Sequence, residues 1–246
     1  MTMPVSKNRW YTLASLMLAL CLGTAAHAAA AELELRAYTA TYGVKGRGIS
    51  LGTASISLQP VEGMWRWRTT TKANAFVAIF TRDRPFSETT FSWSGDGLRL
   101  QNILIADEND KKDVETASFD WEAGSMEVLR KGKQKQLQLA EEVYDLQSVH
   151  LLAAIMQARH QQQASFKLYR KGKLIDSKLV YIGDGSVKVD GREVEARIYQ
   201  HSISSSDESL EYYYEADRPL LPLLIKTRKS GKNRSEMRLR KADWLS

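Results

Sequence analysis

A strongly curved antiparallel β-sheet, or an incomplete β-barrel, with one principal buried α-helix at about 145–160 is the mainly β fold that the sequence predicts. Three observations carry it. From Glu32 onward the commonest pattern is period-two alternation of apolar and polar residues, the mark of strands with one buried and one wet face. Polar or glycine-containing clusters punctuate those runs at hairpin distances. One segment, 145–160, shows helical spacing instead.

The chain opens with targeting rather than fold. Lys7 and Arg9 form a basic region, residues 11–22 are an apolar core, and Ala26-His27-Ala28 places small residues where a signal peptidase reads. Twelve apolar residues fall short of the roughly 20 that span a bilayer as a helix. The expected arrangement is a signal peptide at 1–28, cut between Ala28 and Ala29, and one β-rich periplasmic domain at 29–246. Cys21 follows Leu20, which is too large for the position before a lipidated cysteine. Cys21 is also the sole cysteine, so the exported domain has no disulfide and draws its stability from its core. Cleavage leaves 33 basic against 29 acidic residues. That mild excess fits anionic lipid or lipopolysaccharide phosphates as readily as solubility, and export removes the chain from cytoplasmic nucleic acid.

The strands follow in order. Tyr38, Ala40 and Tyr42 alternate with Thr39 and Thr41; Ala54, Ile56 and Leu58 alternate with Thr53, Ser55 and Ser57; Trp65 and Trp67 alternate with Arg66 and Arg68. Runs at 91–93, 98–105, 114–121, 125–129 and 136–139 continue the pattern, and 166–169, 178–182, 187–189, 196–201, 210–214, 223–228 and 235–240 complete it. Between the two groups, 145–160 starts with a residue suited to an N-cap and carries Leu146, Val149, Ala153 and Met156 on one face, with Leu151, Leu152 and Ile155 on its other sides. A helix apolar over most of its circumference must be covered almost all round.

Motifs for common chemistries fail on residue identity. The glycines of 43–52 imitate a phosphate loop, but Ile49 stands where its lysine belongs and a strand follows where a helix should. That stretch reads as a hairpin connection, with no nucleotide. The acidic turn at 107–112 lacks the ligands and the glycine of a calcium loop. His150 and His160 lie about 15 Å apart along an ideal helix, too far to share a metal ion. No Gly-x-Ser-x-Gly elbow is present. No catalytic, cofactor or metal residue is therefore assigned. Trp65, Trp67, Phe76, Phe80, Leu151 and Ile155 are the candidates for an apolar ligand pocket or its lid.

Tyr38-x-Ala-x-Tyr42 with the following glycine turn and Gly52-x-Ala54, then Tyr144-Asp145-Leu-Gln-Ser148, then Asp217-Arg-Pro219 through Pro222 occur in an order that resembles a family of exported bacterial proteins, the domain of unknown function three-one-zero-eight. The resemblance covers nearly all of the expected mature region and implies a β-rich envelope protein, with no activity to transfer. The functional expectation is noncatalytic binding of an amphiphilic envelope component: a lipid, glycolipid or acylated segment. An envelope scaffold that binds another protein, a hydrolase of envelope sugars or lipids, and a small outer-membrane barrel are the alternatives.

Overall fold

The computed structural model describes residues 33–75, 85–94, 97–107, 110–139, 141–189, 191–204 and 206–245. Ala28, Ala29, Phe76 and Phe80 lie outside them.

The alternating runs become β1 (Tyr38–Gly46), β2 (Ile49–Val61), β3 (Met64–Ala73), β4 (Pro85–Ser94), β5 (Gly97–Asp107), β6 (Asp110–Asp120), β7 (Ser125–Arg130) and β8 (Lys133–Gln138). After β9 (Val143–Tyr144) and α1 (Val149–Ala158) come β10 (Gln163–Arg170), β11 (Lys173–Val189), β12 (Arg192–Ile203), β13 (Glu208–Glu215), β14 (Arg218–Lys229) and β15 (Lys232–Trp244). All fifteen strands join one sheet in the order β8-β7-β6-β5-β4-β3-β2-β1-β15-β14-β13-β12-β11-β10-β9. Each strand pairs with its sequence neighbour except at two places. The first and last strands meet in mid-sheet, with Tyr38 opposite Trp244, and no hairpin joins β8 to β9.

The curved sheet stops short of a closed barrel, as predicted, and a side-chain clasp links its two ends. Glu115 of β6 accepts the Tyr169 hydroxyl at 2.8 Å and the Gly172 N–H at 2.9 Å, both from the β10–β11 hairpin. Its other oxygen holds Arg130 at 2.7 Å.

Four local readings change. The sheet is mixed: β9 runs parallel to β10, pairing Val143 with Lys167 and Tyr144 with Leu168. A parallel pair needs a crossover, and α1 is that crossover, which puts it on one face of the sheet, hereafter the inner face. The α-helix spans Val149–Ala158 rather than 145–160, because a side-chain-bonded turn occupies 145–148. The runs at 178–182 and 187–189 are one strand, β11, which bulges between Tyr181 and Gly183. Only Gly48 of the opening glycines sits in a turn, with Arg47 and Gly48 at φ 49° and 83°. Gly52 serves close approach, since a Cβ there would strike the backbone of Lys72.

Nine of the ten α1 residues are buried, as an all-round apolar helix requires. The inner core joins Tyr38, Tyr42, Leu58, Trp67, Phe91, Leu151, Met156 and Tyr212. A smaller cluster forms on the outer face, where the far part of the β11–β12 hairpin lays Val187 and Ala196 against Tyr213, Leu223 and Leu224. Arg238 Nη1 fastens that flap by donating to Lys188 O at 2.7 Å. Alternation along β13 thus buries Tyr212 and Tyr214 inward and Tyr213 outward.

Candidate functional site: an aromatic and histidine cluster under the helix

The turn before α1 fixes the helix to the sheet. Asp145 Oδ1 accepts the Ser148 N–H at 2.7 Å, while Ser148 Oγ accepts the Asp145 N–H at 2.8 Å. This reciprocal pairing satisfies backbone donors that a helix start leaves open. The Thr89 hydroxyl of β4 donates to Asp145 Oδ2 at 2.5 Å, and the Thr69 hydroxyl of β3 donates to Gln147 Oε1 at 2.9 Å. Gln147 Nε2 completes the group by donating to Thr89 Oγ1 at 3.1 Å.

One step further along α1 the chemistry changes. The His150 ring stacks on Trp67 of β3 at 5.4 Å between centroids and meets Tyr212 of β13 edge-on at 4.8 Å. Tyr212 in turn stacks with His201 of β12 at 6.4 Å, and His201 lies 5.4 Å from Phe166 of β10. His150 therefore spans the two halves of the sheet. Trp67 Nε1, His150 Nδ1, both nitrogens of His201 and the Tyr212 hydroxyl are buried and have no hydrogen-bond partner in the protein.

Neighbouring tyrosines behave differently. Tyr42 donates to Pro222 O at 2.8 Å and Tyr214 to His150 O at 3.1 Å. A buried polar group left without any partner costs about 1–3 kcal/mol, so groups of this kind in an ordered core point to a partner outside the protein chain, a water or a ligand.

Burial pushes the His150 imidazole down to about 3, with the charge of His201 adding to the effect. His201 is pushed down to about 4 by burial and then by Arg170. Burial raises the Tyr212 phenol. At neutral pH the cluster is accordingly a set of uncharged donors and acceptors on an aromatic wall.

The profile of DUF3108, described as a protein of unknown function, matches residues 37–238. This chain belongs to the DUF3108 family. A beta-barrel-like protein of the domain of unknown function DUF1849 from Brucella abortus is similar in fold, with a TM-score of 0.57 at 12% identity over 87% of this chain and 100% of that one. The MucA/MucB complex of Pseudomonas aeruginosa gives a TM-score of 0.34 at 13% identity, over 86% of this chain and 52% of that one. That score is too low to establish a shared fold. Curated protein sequences give no match.

Of the sequence-predicted pocket residues in this DUF3108 domain, Phe76 and Phe80 lie outside the described residues and the structure places the other four. Trp67 is 1% exposed and belongs to the histidine cluster. Leu151 and Ile155 are buried on α1, Ile155 reaching towards Gly97. Trp65 is half-buried at the margin of the inner core, paired across the strands with Phe91. Sequence reasoning missed Tyr212 and His201 as partners. Alternation could have put both on inner faces, but only long-range pairing brings β3, β12 and β13 to one helix.

A histidine held near 3 or 4 is a poor general base at neutral pH, where a matched group would titrate. Ser148 is committed to Asp145. Among the described residues no three His, Cys, Asp or Glu side chains converge on a metal position.

Proposed function

We propose that this chain is an exported, noncatalytic binding protein of the bacterial cell envelope, with residues 29–246 as its single mature domain after cleavage between Ala28 and Ala29. It holds an amphiphilic component, such as a lipid, glycolipid or acylated segment, between α1 and the inner face of the sheet. One observation carries this reading: five buried polar atoms without a partner in the protein belong to four rings in successive contact, Trp67, His150, Tyr212 and His201, within the inner core. An apolar body with an uncharged hydrogen-bonding head matches that lining, since ligand sites combine mainly apolar walls with a few placed polar groups. Nine of the ten α1 residues are buried, so binding displaces part of α1, which follows the short parallel β9–β10 pairing and is tied to the sheet by Gln157 donating to Ala216 O and Tyr214 donating to His150 O. The basic N-terminal segment and its apolar core support export.

Purification under native conditions from the cell envelope, followed by mass spectrometry of the extract, tests the reading. An amphiphile recovered with the unaltered protein and depleted from a folded Tyr212→Phe/His201→Leu variant is the expected result. Protein recovered empty from repeated preparations would contradict it.

A further inference from the structure

Strand direction decides which hairpin turns share a rim of the sheet. β1 runs into the Arg47–Gly48 turn, and antiparallel pairing from there puts the β7–β8, β10–β11 and β14–β15 turns on the same rim. The β2–β3, β6–β7 and β13–β14 turns fall on the opposite one. Contacts agree with this parity. The Arg47 N–H donates to Arg234 O at 3.0 Å, and a Cβ on Gly172 would come within 3.4 Å of Arg130 Cδ and 3.5 Å of Lys135 Cε.

The two rims differ in charge: the first is strongly basic, whereas the second is mixed, its acidic turn residues standing beside Arg192 and Arg218. The first shows Lys45-Gly46-Arg47-Gly48, Arg130-Lys131-Gly132-Lys133, Arg170-Lys171-Gly172-Lys173 and Lys229-Ser230-Gly231-Lys232, whereas the turns of the second carry Glu62, Glu122 and Asp217. Arg130 and Arg170 are held by Glu115 and Glu208. Lys45, Arg47, Lys131, Lys133, Lys171, Lys173, Lys229 and Lys232 are all exposed and in no ion pair among the described residues. Among the described residues, the acids at the turns of this rim are Asp107 and Asp110, which flank the β5–β6 turn, and Asp207 and Glu208 before β13, with Asp207 bonded to Ser230 and Glu208 to Arg170. Beside Arg47, Ile49 is 62% exposed.

Turn geometry does not account for these cations. Two-residue hairpin turns with left-handed backbone favour Asn, Asp or Gly at the first position, yet Arg47, Lys131 and Lys171 stand there at φ 49°, 51° and 51°. A solubility role alone would leave no reason for Glu62 to occupy the equivalent position on the other rim, at φ 52°.

We propose that the basic rim docks on an anionic phospholipid bilayer, its lysines and arginines at the lipid phosphates and Ile49 reaching between the headgroups. The surface stands apart from the internal cluster, and each can fail without the other. A basic residue near an anionic membrane surface strengthens binding on the order of fivefold. The attraction fades within a Debye length of about 8 Å at physiological salt.

The test is sedimentation of the intact mature domain with vesicles of equal phosphatidylglycerol and phosphatidylcholine, and with vesicles of phosphatidylcholine alone. Binding to the anionic vesicles only, weakened by added salt, is expected. Lys131→Glu/Lys133→Glu/Lys171→Glu/Lys173→Glu should weaken it by at least a hundredfold while retaining an unchanged circular dichroism spectrum and a cooperative melt. Should that variant misfold, Lys45→Glu/Lys229→Glu/Lys232→Glu serves as the second rim probe. Lys188→Glu/Arg192→Glu/Arg218→Glu, on the opposite rim, should bind nearly as the parent does. Equal losses in rim and off-rim variants would reduce the effect to net charge and overturn the proposal, as would binding to both vesicle types or to neither.

Discussion

Two buried polar groups of similar size sit one helical turn apart beneath α1, and they are solved in opposite ways. In the first, Thr69, Thr89, Asp145, Gln147 and Ser148 satisfy one another through five hydrogen bonds of 2.5–3.1 Å. In the second, Trp67, His150, His201 and Tyr212 touch through their rings, and five of their polar atoms are buried with no protein partner. A satisfied network fastens structure; an unsatisfied one in an ordered core asks for an external partner. The contrast separates an anchor from a site, although both look like polar interruptions of an apolar interior.

Breaking the anchor gives the largest effect. Asp145→Ala leaves Thr89 and the Ser148 N–H without their acceptor, and two such orphaned groups should cost roughly 2–5 kcal/mol in a denaturant titration. A loss below about 0.5 kcal/mol would make the two regions equivalent and remove the contrast.

Acid acts on the site instead. Folding lowers His150 to about 3 and His201 to about 4 from an unfolded value of 6.5. The unfolded chain therefore binds more protons as pH falls from 6.5, so the stability these groups contribute is complete above 6.5 and is lost down to about 4 and then 3. A decline on the order of a few kcal/mol between pH 6.5 and 4 is expected. The groups facing the rings are His201 towards His150 and Arg170 towards His201. His150→Leu/His201→Leu should flatten the upper part of that decline; an unchanged profile would assign it to carboxyl groups.

A smaller difference comes from conservative replacements. Thr69→Val removes a bonded hydroxyl and should cost about 1 kcal/mol. Tyr212→Phe removes an unbonded one and should be neutral or stabilising by up to about 1 kcal/mol in the ligand-free protein. Equal losses for the two would mean that Tyr212 has a partner inside the fold.

How much of this is legible in the sequence depends on the range of the interaction. Tyr38, Ala40 and Tyr42 announce β1 by alternation, and Val149 to Met156 announce a covered helix, because both patterns are local. Asp145 was visible as a capping residue, yet its side chain caps a turn that ends where α1 starts, which shortened the helix. Trp67 was a candidate through its ring. Its neighbours His150 and Tyr212 come together only after β1 has paired with β15 and α1 has crossed to β10, events that no local period encodes. The basic turns were readable as Arg130-Lys-Gly-Lys and Arg170-Lys-Gly-Lys, but their common rim depends on counting strand directions through the completed sheet.

The most direct test of the contrast is a high-resolution crystal structure of the mature domain purified from its own envelope, with attention to the space around Tyr212 and His201. The account predicts elongated non-protein density whose polar end lies about 2.7–3.2 Å from the Tyr212 hydroxyl or a His201 nitrogen, while the Asp145 network is unchanged. A core closed around those atoms with only isolated waters bonded to them would contradict it.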